Sequence, residues 1–282
     1  MISLQQFSGF SSKWLVRQPR CRGVDCSSQT LLRAFTRRLA GIRIADEWYC
    51  SPDCFELAAR KRITELCMTP ARSGPGQKSR IPLGLLLHSR GVLTKDQLQR
   101  ALDWHRESGA NFGDAAQQLG FATPEQVTAA VASQWSCPVF PLGQQTVAVD
   151  VRIPQLLLEL YRMLPVHFAE KGRKLLIGFV SSVQYQILYT IEHMTGCAVE
   201  PCFITAREYE RQLRAPSGSS PREDDLLFEQ IMEPSEIARI VRNYAVQLGA
   251  AQARIGKCRN YLWARILGRK RETDLLFRVQ GD

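Results

Sequence analysis

The sequence predicts an α+β protein of four successive pieces: a cysteine-rich N-terminal module, a tandem helical repeat, a small α/β sandwich, and a C-terminal helix followed by strands. Three observations carry this. One pattern is written twice across residues 82–134, at a fixed offset of 29. Five of the nine cysteines fall in the first 67 residues, four of them as two short pairs. Beyond the repeat, apolar runs of strand length alternate with amphipathic stretches of helix length. The expected boundaries are 1–67 for the cysteine module, 68–81 for a linker, 82–214 for the repeat (82–134) with its α/β unit (135–214), 215–225 for a second linker and 226–282 for a small α+β unit. A length of 282 residues, 45% hydrophobic and 23% charged, suits two or three globular units with proper cores.

In the first module the pairs are Cys21-x4-Cys26 and Cys50-x3-Cys54. Between them Gly41 to Tyr49 alternates and turns like a hairpin, and Cys54 opens a helical stretch from Phe55 to Leu66. Four soft thiolates on a knuckle, a hairpin and a helix start suit tetrahedral zinc, so Zn2+ is the expected cofactor, on Cys21, Cys26, Cys50 and Cys54. The arrangement resembles a treble-clef zinc finger, with Cys67 a spare. The alternative is a set of ordinary reduced thiols. Residues 1–80 carry 14 Lys/Arg against 6 Asp/Glu, densest at Arg37-Arg38 and Arg60-Lys61-Arg62. Such a basic finger either binds nucleic acid through phosphates or presents a solvated helix face on a protein-docking module. No base-reading motif favours the former. Pro70, Ser73-Gly74-Pro75-Gly76 and Pro82 mark the first linker.

The first copy of the repeat is Pro82-Leu83-Gly84, then Leu87, Gly91, Leu98, Leu102 and His105. The second is Asn111-Phe112-Gly113, then Ala116, Gly120, Val127, Val131 and Gln134. Each copy reads as two short helices. Gly91 and Gly120 stand where a helix end needs a left-handed residue. Thr94 with Gln97, and Thr123 with Gln126, form capping-box patterns, and Pro124 takes a first helical position. Leu98, Ala101, Leu102 and Val127, Ala130, Val131 give the spacing of buried stripes.

Downstream, Val147 to Arg152 reads as a short strand and Pro154 to Tyr161 as a helix with Leu156, Leu157 and Leu160 inward. Pro165 to Phe168 and Lys174 to Val180 read as strands joined by a turn at Lys171-Gly172-Arg173, the second apolar enough to be buried on both faces. Gln184 to Thr195 is a helix ended by Gly196, Cys197 to Ile204 a strand, and Thr205 caps a last helix with Glu208 at its third position. Cys197 and Cys202, five apart, fall on opposite faces of a strand, and His167 and His193 read as structural histidines. After the second linker, Glu233 to Leu248 is a helix capped near Ser235, with Ile237, Ile240, Val241, Tyr244 and Leu248 as its stripe and Gly249 as its stop. Ala253 to Lys257, Tyr261 to Leu267 and Asp274 to Val279 are strands, with a basic turn at Gly268-Arg269-Lys270-Arg271.

The repeat, the segment Gln134-Trp135-Ser136-Cys137-Pro138-Val139-Phe140-Pro141-Leu142, and Thr195-Gly196-Cys197-Ala198-Val199-Glu200-Pro201 resemble the N-terminal domain of type II secretion and type IV pilus assembly ATPases. The resemblance covers residues 80 to 214. In ligand-binding members, two motifs of the form Arg-Leu-Gly, apolar run, Gly, Leu, Leu, Gln hold cyclic di-GMP. The resemblance therefore implies a cyclic dinucleotide site on Arg80, Leu83, Gly84, Leu87, Gly91, Leu98, Leu102, His105, Asn111, Phe112, Gly113, Gly120, Val127, Val131 and Gln134. Glycines would let backbone N–H groups approach phosphates, and leucines would meet purine faces. The sequence departs from the motif at its charged ends. Pro82 and Asn111 stand where the leading Arg belongs, and His105 replaces the first Gln. Arg80 is the cation two residues upstream. In the family this region also docks onto the cytoplasmic part of a membrane-platform protein. The piece after 226 weakly resembles the segment that opens the ATPase proper.

Phosphate-cradling Gly-x4-Gly-Lys-Ser/Thr does not occur in these 282 residues; the nearest approach is Gly249 to Gly256-Lys257-Cys258. No nucleophile–base pair or carboxylate pair has a plausible frame. The expected function is a non-catalytic regulatory or adaptor protein. A cyclic di-GMP sensor, or a nucleic-acid binder working through the basic finger, is the alternative. A net charge of +10 invites anionic partners without choosing among them. No run of 18 apolar residues exists, and Met1 to Trp14 is too polar for a signal peptide core. The expected location is cytoplasmic, or peripheral at the inner membrane through a partner.

Overall fold

The computed structural model describes residues 20–24, 26, 41–69, 80–143, 149, 151–214, 225–269 and 271–280. Strands β1 (Ile42–Ile44) and β2 (Glu47–Tyr49) form the expected hairpin, with Arg43 opposite Trp48. Helix α1 (Pro52–Met68) follows. Ser51 caps it, its hydroxyl accepting from the Cys54 N–H at 3.2 Å, and Pro52 occupies the first turn. The helix thus begins before Cys54 and carries that thiol in its first turn. Phe55, Ala59 and Ile63, four apart, form its buried stripe.

The repeat folds as α2 (Leu83–Ser89), α3 (Lys95–Ser108), α4 (Phe112–Gln118) and α5 (Pro124–Trp135). Both capping boxes form. Thr94 and Thr123 each accept from the N–H three residues on at 3.2 Å, and Gln97 and Gln126 each return to the cap N–H at 2.9 Å. Gly91 and Gly120 sit at φ +70° and +69° just past α2 and α4, in the left-handed region that frees their N–H groups to close the helix ends. Each first helix packs against the second helix of the other copy, α2 on α5 and α4 on α3.

Helix α6 (Gln155–Leu160) leads to β3 (Met163–Ala169), β4 (Lys174–Phe179), α7 (Tyr185–Thr195), β5 (Ala198–Phe203) and α8 (Ala206–Arg214). The three strands form one sheet, β3-β4-β5, antiparallel then parallel. Thr205 and Glu208 cap α8 as expected. The strand expected over 147–152 is not seen: residues 144–148 and 150 lie outside the described residues, and 151–152 are irregular. In α6 only Leu157 is fully buried; Leu160 faces solvent because a six-residue helix lying on a sheet edge has one covered row. Leu176 in β4 is half-buried rather than enclosed on both faces.

The rest of the chain forms β6 (Asp225–Phe228), α9 (Pro234–Gln247), β7 (Gln252–Cys258), β8 (Tyr261–Leu267) and β9 (Glu272–Arg278). Glu233, not Ser235, caps α9, in a reciprocal box with Glu236; Pro234 in the first helical position starts the helix two residues earlier than a serine cap would. Strand β6 begins at Asp225, the last residue of the expected linker, and residues 215–224 and 70–79 of the two linkers lie outside the described residues.

Segments expected in separate modules share one sheet. Its order is β2-β1-β7-β8-β9-β6. β7, β8 and β9 form an antiparallel meander, β1 runs parallel to β7, and β6 parallel to β9. One face, with Ala253, Ile255, Ala264, Ile266, Leu275 and Phe277, is covered by α1 and α9. The other presents Cys258, Trp263 and Leu276 to α7, whose far side packs on β5. Close approach is enforced at Gly256, where an added Cβ would lie 2.7 Å from Thr190 Cγ2. The Thr190 hydroxyl donates to the Lys257 carbonyl at 2.8 Å, and Arg254 donates to the Met194 carbonyl at 2.8 Å. One core runs from the repeat through the small sheet to the large one.

Candidate functional site

The first site is the cysteine cluster. Residues 20–24 and 26 supply Cys21 and Cys26, the end of β2 supplies Cys50, and the first turn of α1 supplies Cys54. All four Sγ atoms lie within 4.8 Å of one another. A tetrahedral site of four thiolates with metal–sulfur bonds of about 2.3 Å needs sulfurs about 3.8 Å apart. The Cys26 and Cys50 sulfurs are 3.4 Å apart, and all nine cysteines are free of disulfides. The backbone supports charge on sulfur: the N–H groups of Gly23 and Cys50 both donate to Cys21 Sγ at 3.4 Å. At Gly23 an added Cβ would lie 3.1 Å from Cys54 Sγ, so the knuckle wraps the thiols with bare backbone. Burial pushes the Cys21 thiol up, and pushes Cys54 up to about 12, with the charge of Cys21 adding to it. Thiols this reluctant to ionise beside one another are the groups a divalent cation would deprotonate together. The donor set fits zinc.

The second site is the repeat. Its pairings obey the 29-residue offset with the copies exchanged. Gly84 is met by Leu98 and Phe112, an added Cβ lying 2.7 Å and 2.9 Å from them; Gly113 is met by Val127 and Leu83, at 2.9 Å and 3.5 Å. Gln134 Nε2 donates to the Ile81 carbonyl at 2.6 Å, and His105 Nδ1 bonds the Ala110 carbonyl. Adding 29 to Ile81, Leu83, Leu98 and His105 gives Ala110, Phe112, Val127 and Gln134. The last polar residue of each copy thus holds the entry of the other, and a pseudo-two-fold axis runs between α2 and α4. The two motif glycines serve close helix packing, because side chains already fill the space a Cβ would need.

Leu87, Val127 and Val131 are core, while Leu83, Leu98, Leu102 and Phe112 are half-buried. Asn111 is exposed and makes no side-chain cap. Arg80 and Gln134 both line a cleft of about 750 Å³ with Leu86, Trp135, Cys137, Leu176, Tyr185 and Glu200, between the end of α5 and the small sheet. The Arg80 guanidinium lies 3.3 Å from the Trp135 ring centroid, and Trp135 is 6.4 Å from Tyr185. Burial raises the Cys137 and Tyr185 values, and the Arg80 charge works against both. Sequence reasoning missed Trp135 and Tyr185. An aromatic adjoining Gln134 was the available signal, but Tyr185 enters only through the fold.

No protein-family model matches the chain. A stretch of 121 residues, 42% of the chain, is 25% identical to the type IV pilus assembly ATPase PilB of Thermus thermophilus, and spans 14% of that protein. Among solved structures, one of MshE with cdg superposes on 48% of the chain and 97% of its own length, at 23% identity and a TM-score of 0.41. The N-terminal domain of XpsE superposes on 48% of the chain and 94% of its own length, at 16% identity and a TM-score of 0.38. Neither TM-score is high enough to carry residue positions across. Among the described residues no helix is long and apolar enough to cross a membrane. Over part of its length, the chain is similar in sequence to a type IV pilus assembly ATPase.

Proposed function

We propose that the protein is a non-catalytic adaptor, in which a zinc-bearing sheet domain carries the secretion-ATPase-like repeat to a protein partner. The observation that supports docking over ligand sensing is the internal use of the repeat's polar ends. Gln134 and His105 are engaged by carbonyls of the opposite copy, and Gly84 and Gly113 are packed against side chains. Zinc on Cys21, Cys26, Cys50 and Cys54 would hold the knuckle to β2 and α1, contributing folding free energy rather than chemistry. The resemblance points to the cytoplasmic part of a secretion or pilus platform protein as the partner.

The test is titration calorimetry of the full chain against that platform fragment from type II and type IV systems. Saturable binding, weakened by substitutions on the repeat's exposed face, supports the reading; blank heats with every platform fragment reject it. A second reading, cyclic di-GMP binding, is favoured by Arg80 and Gln134 lining one cleft, one from beside each end of the repeat. Cyclic di-GMP titrated into the full chain decides it: micromolar affinity lost in Gly113→Leu would make the repeat a sensor.

A further inference from the structure

The cleft beside Trp135 is built on one side of the pseudo-two-fold only. Subtracting the 29-residue offset from Gln134 and Trp135 gives His105 and Arg106; adding it to Arg80 gives Gly109. The equivalent place, where Arg106 and Gly109 stand for Trp135 and Arg80, therefore has no aromatic ring and no stacked cation. Where Trp135 holds Arg80, Arg106 pairs with Asp103 at 3.1 Å on an exposed helix face. A ligand with two-fold symmetry would meet unlike surfaces at its two ends.

What the single cleft offers is specific. Its walls are the Trp135 and Tyr185 rings and the apolar edges of Leu176 and Pro138. Its charge is Arg80. Among the described residues no carboxylate ion-pairs with Arg80, while the cleft's one carboxylate, Glu200, is neutralised by Lys174 at 2.7 Å. An indole that fixes a guanidinium reduces the freedom it loses on pairing with an anion, and its planar fork suits phosphate or carboxylate. A concave, mostly apolar site of about 750 Å³ with one placed cation falls in the size range of small-molecule pockets. We infer that this cleft binds one aromatic anion per chain: a planar ring against Trp135 and Tyr185, and a single phosphate-type group on Arg80. The inference needs neither the docking reading nor the cyclic dinucleotide reading.

The test is titration of the full chain with GMP, followed by calorimetry and by tryptophan fluorescence, with guanosine, inorganic phosphate and cyclic di-GMP as separate arms. The expected result is one GMP per chain. Guanosine and phosphate alone should each bind at least about tenfold more weakly, because each keeps only one of the two contacts. Arg80→Ala should weaken GMP by at least about tenfold at unchanged melting temperature, and Arg80→Lys by less, since it keeps the charge without the fork. Trp135→Leu should do the same; if it destabilises the fold, the two Arg80 variants still decide. No GMP response up to about 5 mM, two GMP per chain, or binding indifferent to Arg80→Ala overturns the inference. Cyclic di-GMP binding that survives Arg80→Ala but fails in Gly113→Leu, with GMP silent, also overturns it and leaves the sensor reading standing.

Discussion

Three side chains converge on Asp274. It is fully buried. It accepts from Trp263 Nε1 at 2.7 Å, from Arg265 Nε and Nη2 at 2.8 Å and 2.9 Å, and pairs with Arg152 Nε at 3.0 Å. Arg152 also reaches Asp225 at the start of β6, and its carbonyl accepts from Arg265 at 2.7 Å. Two aspartates and two arginines thus tie the stretch entering the α/β unit to the large sheet. Replacing one buried partner leaves the others unpaired in low dielectric, which costs far more than the pair itself contributes. Asp274→Ala should lower unfolding free energy by about 3–5 kcal/mol, read from the urea midpoint; a loss below about 1 kcal/mol would show that the arginines find water instead. Gly84 gives a second case at this scale. Gly84→Ala forces Leu98 and Phe112 aside and should cost about 1–3 kcal/mol, whereas Gln99→Ala on the exposed face of α3 should stay within about 0.5 kcal/mol.

At the scale of elements, what is local was legible. The capping boxes at Thr94 and Thr123 were readable because a cap is made between residues three apart. Thr94→Ala and Thr123→Ala should each cost about 1 kcal/mol, and the double variant the sum, because the caps share no partner. A double variant no weaker than either single one would mean the helix ends are held by packing alone. The four cysteines were legible for the same reason, since their spacing fixes a knuckle, a hairpin and a helix start. The pairing of β1 with β7 was not. It joins Arg43 to Gln252 across most of the chain, and nothing in a three-residue strand names its partner. β6 was hidden because Asp225 closes a charged, turn-rich run, and its Leu226 and Leu227 are too few to show a period. The exchange of copies in the repeat is likewise invisible to periodicity, which finds equivalent residues but not whether each pairs within its copy or across.

At the scale of the whole molecule, the ends of the described chain close on each other. The Arg43 N–H donates to the Ala251 carbonyl at 3.0 Å, α1 packs along α9, and Lys257 Nζ donates to the Cys67 carbonyl at 3.4 Å. Metal at the cysteine cluster would therefore stabilise strands about two hundred residues downstream, because β1, α1, β7 and α9 share one core. Chelation should lower amide protection in β7, β8 and β9 before it touches α3 and α5; unchanged protection in β7 would show that the hairpin is only an appendage. The pH dependence has opposite signs in the two states. Without metal, Cys54 has a folded value of about 12 against an ordinary 9.0, so its contribution is complete below pH 9 and is lost as pH rises toward 12. With metal, the thiols are held as thiolates and protons compete for them, so stability falls on acidification instead. Melting temperature followed from pH 5 to 10, with and without chelator, should give curves that converge on the acid side and separate with rising pH. Curves that coincide throughout would mean the four thiols hold no metal.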